Sequence, residues 1–129
     1  LGLSAQRLAR RLCPICKTEH TLTPEEWAAL GGAPVDGNVT LYQSVGCQAC
    51  GQKGYSGRIS LAEIIRIDAG LQQRIDDQQP TSKLKRYLKE QGVILMRQDG
   101  LMKAQAGLTS VEEVGRVVQL EVGEALDDA

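Results

Sequence analysis

Apolar positions recur at helical spacing over most of the second half of the chain, and in short alternating or continuous runs around its middle. Near the start, Ala5, Leu8 and Leu12 stand on one helical face, with Arg7, Arg10 and Arg11 fanned around the rest, so Ser4 to Leu12 is predicted as a helix. Thr23-Pro24-Glu25-Glu26 sets an N-cap, a proline in the first turn and a capping-box glutamate, opening a short helix through Trp27 to Leu30 that Gly31-Gly32 stops. Ala33 to Asn38 is loop, and Val39 to Val45 and Arg58 to Ile67 are predicted strands. Asp68 caps a helix carrying Leu71 and Ile75, which breaks at Pro80. Ser82 caps another, in which Leu84, Tyr87, Leu88 and Gln91 share a face and Gly92 ends the element. A helix from Leu95 to Ala106 follows. Thr109-Ser110-Val111-Glu112-Glu113 then reads as a doubled capping box for a last helix burying Val111, Val114 and Val118.

Composition adds one constraint. The chain has 129 residues, of which 42% are hydrophobic and only 3% aromatic, with one Trp, three Tyr and no Phe. Large rings bury the most area per residue, so a small domain without them needs other support. Fifteen Lys and Arg against sixteen Asp and Glu leave a formal charge of −1, which disfavours a dedicated nucleic-acid binder. No apolar run approaches the roughly 18 to 20 residues of a membrane span, and nothing at the start reads as a signal peptide. The expectation is a soluble, cytoplasmic protein. Because the chain opens on Leu1 with an amphipathic segment already under way, it reads as a piece of something longer.

The missing support is offered by Cys13-Pro14-Ile15-Cys16 and Cys47-Gln48-Ala49-Cys50, two Cys-x-x-Cys pairs thirty residues apart. Each pair can form a knuckle that turns two thiolates to one side of a metal, and two knuckles close a tetrahedral site. Lys17 can ease the thiolate charge, and Gly51 lets backbone amides turn toward sulfur. Zinc in four sulfurs would be structural, because a closed site has no position for a reacting water. Iron in the same four sulfurs, two disulfides, or substitution of one thiolate by His20 are the alternatives from residues alone, with His20 otherwise an exposed polar side chain. The fold class expected is α+β and mainly helical: a zinc-knuckle subdomain with short strands over 13–67, then a small helical bundle over 68–118. The last eleven residues, 119–129, hold four acids and no base and read as a disordered, solubilising tail.

Catalytic patterns are missing from the sequence. There is no phosphate-binding loop, no nucleophile elbow, and the one His has no evident nucleophile beside it. Lys83, Lys85, Arg86 and Lys89 make a basic helix face whose simplest role is solvation, with an acidic or phosphate partner as the alternative. Trp27 is expected to be a packing residue. Two other function classes fit the cysteines: a rubredoxin-type electron carrier with one iron, and a zinc-ribbon adaptor for nucleic acid.

One run of residues goes further. Tyr42-x-x-x-Gly46-Cys47-x-x-Cys50-x-x-x-Gly54-Tyr55-x-Gly57-Arg58-x-x-x-x-Glu63 resembles the C-terminal signature of the traffic ATPases that power type II secretion and type IV pilus assembly. Gln6-Arg7-Leu8 with Arg10-Arg11-Leu12-Cys13-Pro14 resembles that family's helix entering the first cysteine pair. Gln98-Asp99-Gly100-Leu101-x-Lys103 and Gly107-Leu108-Thr109-Ser110-x-Glu112-Glu113-Val114 resemble its closing helices. Departures are Val93-Ile94-Leu95-Met96 after Gly92, where the family usually shows Met-x-Thr-Leu, and Gly115 in place of a commoner Leu. The resemblance implies that residues 1–12 form a helix leaving an ATPase core, and that Cys13, Cys16, Cys47 and Cys50 bind a structural Zn2+. It implies a hexameric parent acting at the cytoplasmic side of the inner membrane on a platform protein, without nucleic acid and without membrane insertion. ATP and Mg2+ would be handled upstream, so this part has no catalytic residue of its own. Arg58 and Glu63 are candidates for polar contacts that fix the knuckle against the rest, with an ordinary surface pair as the equal alternative.

Overall fold

A computed structural model describes residues 2–118. The expected acidic tail, 119–129, lies outside the described residues. Four strands come in two antiparallel ribbons. In the first, β1 (Gly2–Leu12) pairs with β4 (Tyr55–Arg66) from Gly2 opposite Arg66 to Arg10 opposite Arg58, with a register shift before Leu12 meets Tyr55. In the second, β2 (Thr18–Leu22) pairs with β3 (Val39–Gln43). Five helices complete the described residues: α1 (Pro24–Ala29) between β2 and β3, then α2 (Ala69–Asp76), α3 (Thr81–Glu90), α4 (Met96–Gln105) and α5 (Val111–Val118) after β4.

The first expectation overturned is the opening helix, and without it the mainly helical description is not confirmed. Residues 4–12 are extended. Inward-facing Ala5 and Ala9 share a face of β1 with Arg7, and Ala9 is fully buried, whereas Leu8, the centre of the expected helical stripe, is 56% exposed. Pairing along ten residues of β4 satisfies more backbone than an isolated helix of nine residues can hold in water, so tertiary pairing overrides a periodicity that suited either element.

Capping chemistry elsewhere acts as the sequence suggests. The Thr23 hydroxyl accepts from Glu26 N–H while the Glu26 carboxylate accepts from Thr23 N–H, and Asp68 accepts from Leu71 N–H. α3 begins one residue before the expected cap, with Pro80 in the N-cap position and Ser82 inside the helix.

The main core joins both halves of the chain. Ala9, Leu61 and Leu41 from the ribbons meet Trp27 from α1, Met96, Leu101 and Ala104 from α4, and Val114, Val117 and Val118 from α5. Gly100 permits the closest approach: a Cβ there would lie 2.8 Å from Val114, so α4 and α5 pack backbone against side chain. A smaller cluster of Leu71, Leu88 and Leu95 seats α2 and α3 against Ile65 and Ile67 at the far end of β4.

Both outer edges of the β1–β4 ribbon are covered in part by polar side chains from the helices. On β4, Asp99 accepts from Ala62 N–H at 2.9 Å, and Lys103, paired to Asp99 at 2.8 Å, donates to Ser60 C=O. On β1, Glu113 accepts from Arg10 N–H at 2.8 Å, Thr109 donates to Arg10 C=O, and Leu12 N–H donates to Leu108 C=O.

Candidate metal centre

The four cysteines converge where the two ribbons meet. Cys13 and Cys16 lie in the turn that follows β1, and Cys47 precedes and Cys50 ends a short 3-10 turn (Gln48–Cys50) ahead of β4. Their sulfurs all lie within 4.8 Å of one another, and no other His, Asp or Glu joins the group among the described residues. Cys13 Sγ is 3.8 Å from Cys47 Sγ, Cys16 Sγ is 3.8 Å from Cys50 Sγ, and Cys47 and Cys50 are 3.7 Å apart. A tetrahedron with metal–sulfur bonds of about 2.3 Å has edges of about 3.8 Å. The donor set therefore fits one four-sulfur ion. All four thiols are free of disulfides, and Cys13 and Cys50 are buried.

Backbone amides turn toward the sulfurs. Gly46 N–H donates to Cys16 Sγ at 3.3 Å, and Cys47 N–H and Gly54 N–H donate to Cys50 Sγ at 3.3 and 3.1 Å. Two of these donors require glycine. Gly46 has φ +115 and would place a Cβ 2.9 Å from the Gln52 carbonyl, and Gly54 has φ +79 and would place one 2.6 Å from Ser44. Burial pushes the Cys50 thiol up, but the amides of Cys47 and Gly54 outweigh it and carry the group down to about 6. The backbone amides of Cys16 and Ile15 lower Cys13. Cys47 receives a lowering contact from Cys50 backbone, yet burial and the neighbouring sulfurs push it up to about 11. Four sulfurs this close cannot all ionise without a cation among them.

Other residues singled out in the sequence take different places. Lys17 Nζ donates to Gly107 C=O at 2.9 Å and lies 4.8 Å from the centre of the Tyr42 ring, tying the first knuckle to the α4–α5 turn. His20 stands in β2 opposite Leu41, half-buried rather than exposed, with Nε2 enclosed and no hydrogen-bond partner. Trp27 is in the core, as expected. Arg58 and Glu63 lie on opposite faces of β4, so they do not pair with each other. Lys83, Arg86 and Lys89 are exposed on α3.

The fixing contact that the sequence reading missed is made by Arg10 instead. Glu113, almost wholly buried, receives Arg10 Nε and NH2 at 3.0 and 2.7 Å and Arg116 Nε and NH2 at 2.9 Å each. Arg10 also stacks over Tyr55, its guanidinium carbon 4.3 Å from the ring centre, and Tyr55 Oη lies 2.7 Å from Ser110 Oγ. Ser110 does cap α5, accepting from Glu113 N–H. A glutamate at the third helical position was the available signal, but its carboxylate turns to β1 and not back to the cap.

A four-cysteine metal-type centre between two β-ribbons, braced by helices, thus defines the class of the chain. Comparison with known proteins then gives its family. The sequence profile described as Type II/IV secretion system protein matches residues 1–116, and the chain belongs to that family. It is 39% identical to the type IV pilus assembly ATPase TfpB of Acinetobacter baylyi over 93% of this chain and 21% of that protein. It is also 39% identical to the type IV pilus assembly ATPase PilB of Pseudomonas aeruginosa, over 89% of this chain and 20% of the relative. With the type II secretion system protein E of Dickeya dadantii it shares 37% identity over 94% of this chain and 24% of the relative. The chain therefore spans about a fifth to a quarter of the length of these relatives.

Proposed function

We propose that this chain is the metal-clamped C-terminal arm of an ATPase that powers type II secretion or type IV pilus assembly. Its role is to be rigid and to transmit motion. The observation that carries the reading is that three of the six sulfur separations stand at the edge length of a four-thiolate tetrahedron and all lie within 4.8 Å, in a chain whose relatives are named as such ATPases. Cys13, Cys16, Cys47 and Cys50 would hold one Zn2+, which when bound supplies charge neutralisation and a cross-link between segments thirty residues apart. The residues of the chain do the rest: amides of Gly46, Cys47 and Gly54 orient the sulfurs, and Lys17 and Glu113 carry the position of the knuckle to α5.

In this reading the tetracysteine unit, 13–67, and the helical part, 68–118, are functional subdivisions that share one core. ATP and Mg2+ are bound by parts of the full-length protein outside these 129 residues. That protein is a hexamer on the cytoplasmic face of the inner membrane, engaged with a membrane platform protein. Among the described residues no helix is long and apolar enough to cross a membrane. Energy conversion in such a ring needs bodies that move as units between nucleotide states.

The test is elemental analysis of the protein purified without added metal, with a visible spectrum of the same sample. About one zinc per chain and no colour support the structural clamp. Iron with visible thiolate absorption would move the assignment to an electron carrier, and an empty, fully folded protein would remove the metal from the account.

A further inference from the structure

Charge is divided unevenly along the chain. Residues 119–129 hold Glu121, Glu124, Asp127 and Asp128 with no base, which leaves fifteen bases against twelve acids in residues 1–118. α3 by itself accounts for that excess, since Lys83, Lys85, Arg86 and Lys89 stand there against Glu90 alone. Lys83, Arg86 and Lys89 recur at intervals of three, which sets them along one side of the helix, and all three are exposed. Leu84, Tyr87 and Leu88 turn the other way, onto the cluster with Leu71 and Leu95. Among the described residues no carboxylate pairs with Lys83, Arg86 or Lys89. Like charges at this spacing repel one another, and an anion laid along the face relieves that repulsion.

Chain geometry brings the acidic residues toward this face. α4 and α5 are joined by the short turn 106–110, and a Cβ on Gly100 would meet Val114 at 2.8 Å, so the chain doubles back with the two helices side by side. The end of α5 therefore lies by the start of α4, and Val118 and Met96 are both buried in the main cluster. One residue before Met96, Leu95 packs with Leu88 in the smaller cluster, so the end of α3 that carries Lys89 is near the point where residue 119 follows α5. Asp128 is ten residues past Val118, a span of up to about 35 Å in extended chain, while α3 is about 15 Å long. The segment is long enough to lie along the whole of α3.

We propose that residues 119–129 dock on the exposed face of α3 in the same chain, with Glu121, Glu124, Asp127 and Asp128 set against Lys89, Arg86 and Lys83. The contact is electrostatic, and the short tether from Val118 supplies an effective concentration on the order of millimolar. Each exposed pair is weak and screened by salt, so the segment is a displaceable cover on α3 and not a part of the core. Any other anionic partner of α3 must compete with it. The family profile matches residues 1–116, so the cover lies outside the shared pattern and does not depend on the function assigned to the family.

Zero-length carbodiimide coupling on the full-length protein with its metal tests this, because it joins a lysine to a carboxylate only where the two touch. Peptide mass spectrometry is expected to find Lys83 and Lys89 joined to acids of 119–129 at about tenfold or more the yield at Lys53, which is also exposed. That yield should fall about threefold or more between about 0.05 and 0.5 M salt. Equal yields at Lys53, or yields indifferent to salt, overturn the proposal. Arg86→Gln removes the central cation and keeps both lysines, so their yields should drop about threefold; unchanged yields would show reach without attraction and overturn it as well. Mixing light and heavy-isotope chains identifies the occupant. Coupling within one chain supports the proposal, and coupling mainly between chains assigns the face to the segment of a second copy and overturns it.

Discussion

Glu113 on α5 and Arg10 on β1 are 103 residues apart in sequence and share three hydrogen bonds, one to the backbone N–H of Arg10 and two to its guanidinium. The contact joins the last helix to the strand that runs into the first cysteine knuckle. Because the carboxylate is buried while both arginines reach solvent, removing its charge leaves an edge amide and two guanidinium groups short of a partner. Glu113→Gln is expected to cost about 1 to 2 kcal/mol, because the two guanidinium groups it leaves reach solvent and the amide keeps one acceptor oxygen. Urea unfolding of the variant against the parent sequence measures it, and a change within experimental error would show that the contact is incidental.

The same carboxylate sets an acid limit. Burial pushes Glu113 up, but the hydrogen bonds from Arg116 and Arg10 prevail and bring it down to about 2. A group lowered on folding contributes stability above its ordinary value near 4.3, and loses it as pH falls through that value toward the folded one. The melting temperature should therefore hold from neutrality to about pH 5 and drop between about pH 4 and 2. In Glu113→Gln this part of the fall should be smaller, and identical acid profiles for both proteins would contradict the assignment.

Metal removal should unfold the knuckle before the helices. Structural zinc in small domains contributes an apparent ~10 to 16 kcal/mol near neutral pH, more than the net stability of most domains. A chelator, or Cys47→Ser, is expected to abolish the cooperative thermal transition of the β2–β3 region while α2 and α3, seated on a separate cluster, retain helical circular dichroism. An unchanged melting curve after complete metal loss would end the structural role.

Gly54→Ala tests the amide that faces Cys50. The residue has φ +79, and an added Cβ would meet Ser44 at 2.6 Å, so the loop must move and the N–H with it. Metal affinity by competition with a chromophoric chelator should fall about tenfold or more, in the range seen when groups around a metal site are lost. Equal affinity would show that the amide does not help to hold the sulfur.

Lys17→Met separates two roles for one residue. The Lys17 head donates to the Gly107 carbonyl and lies over Tyr42, so its loss should cost about 1 to 2 kcal/mol. The bound metal per chain should stay the same. A lowered metal content with unaltered stability would return Lys17 to the thiolates.

The convergence of the four cysteines, the capping residues Thr23, Asp68 and Ser110, the strands around Leu41 and Leu61 and the helix from Met96 were all legible in the sequence. Each of these is written in local chemistry: two short cysteine spacings, hydroxyl or carboxylate caps, β-branched runs and glycine stops. What the sequence did not decide is the state of residues 4–12, whose Ala5, Leu8 and Leu12 suit a helix as well as Ala5 and Ala9 suit a strand. Only β4, fifty residues away, settles it by offering a ladder partner. The destinations of Lys17, Arg10 and Glu113 were likewise beyond local reading, because a long charged side chain finds its partner after the chain has folded. Local chemistry determined what each segment is able to form, and tertiary pairing decided which alternative wins, since backbone groups and buried charges are satisfied only by neighbours that sequence order does not bring together.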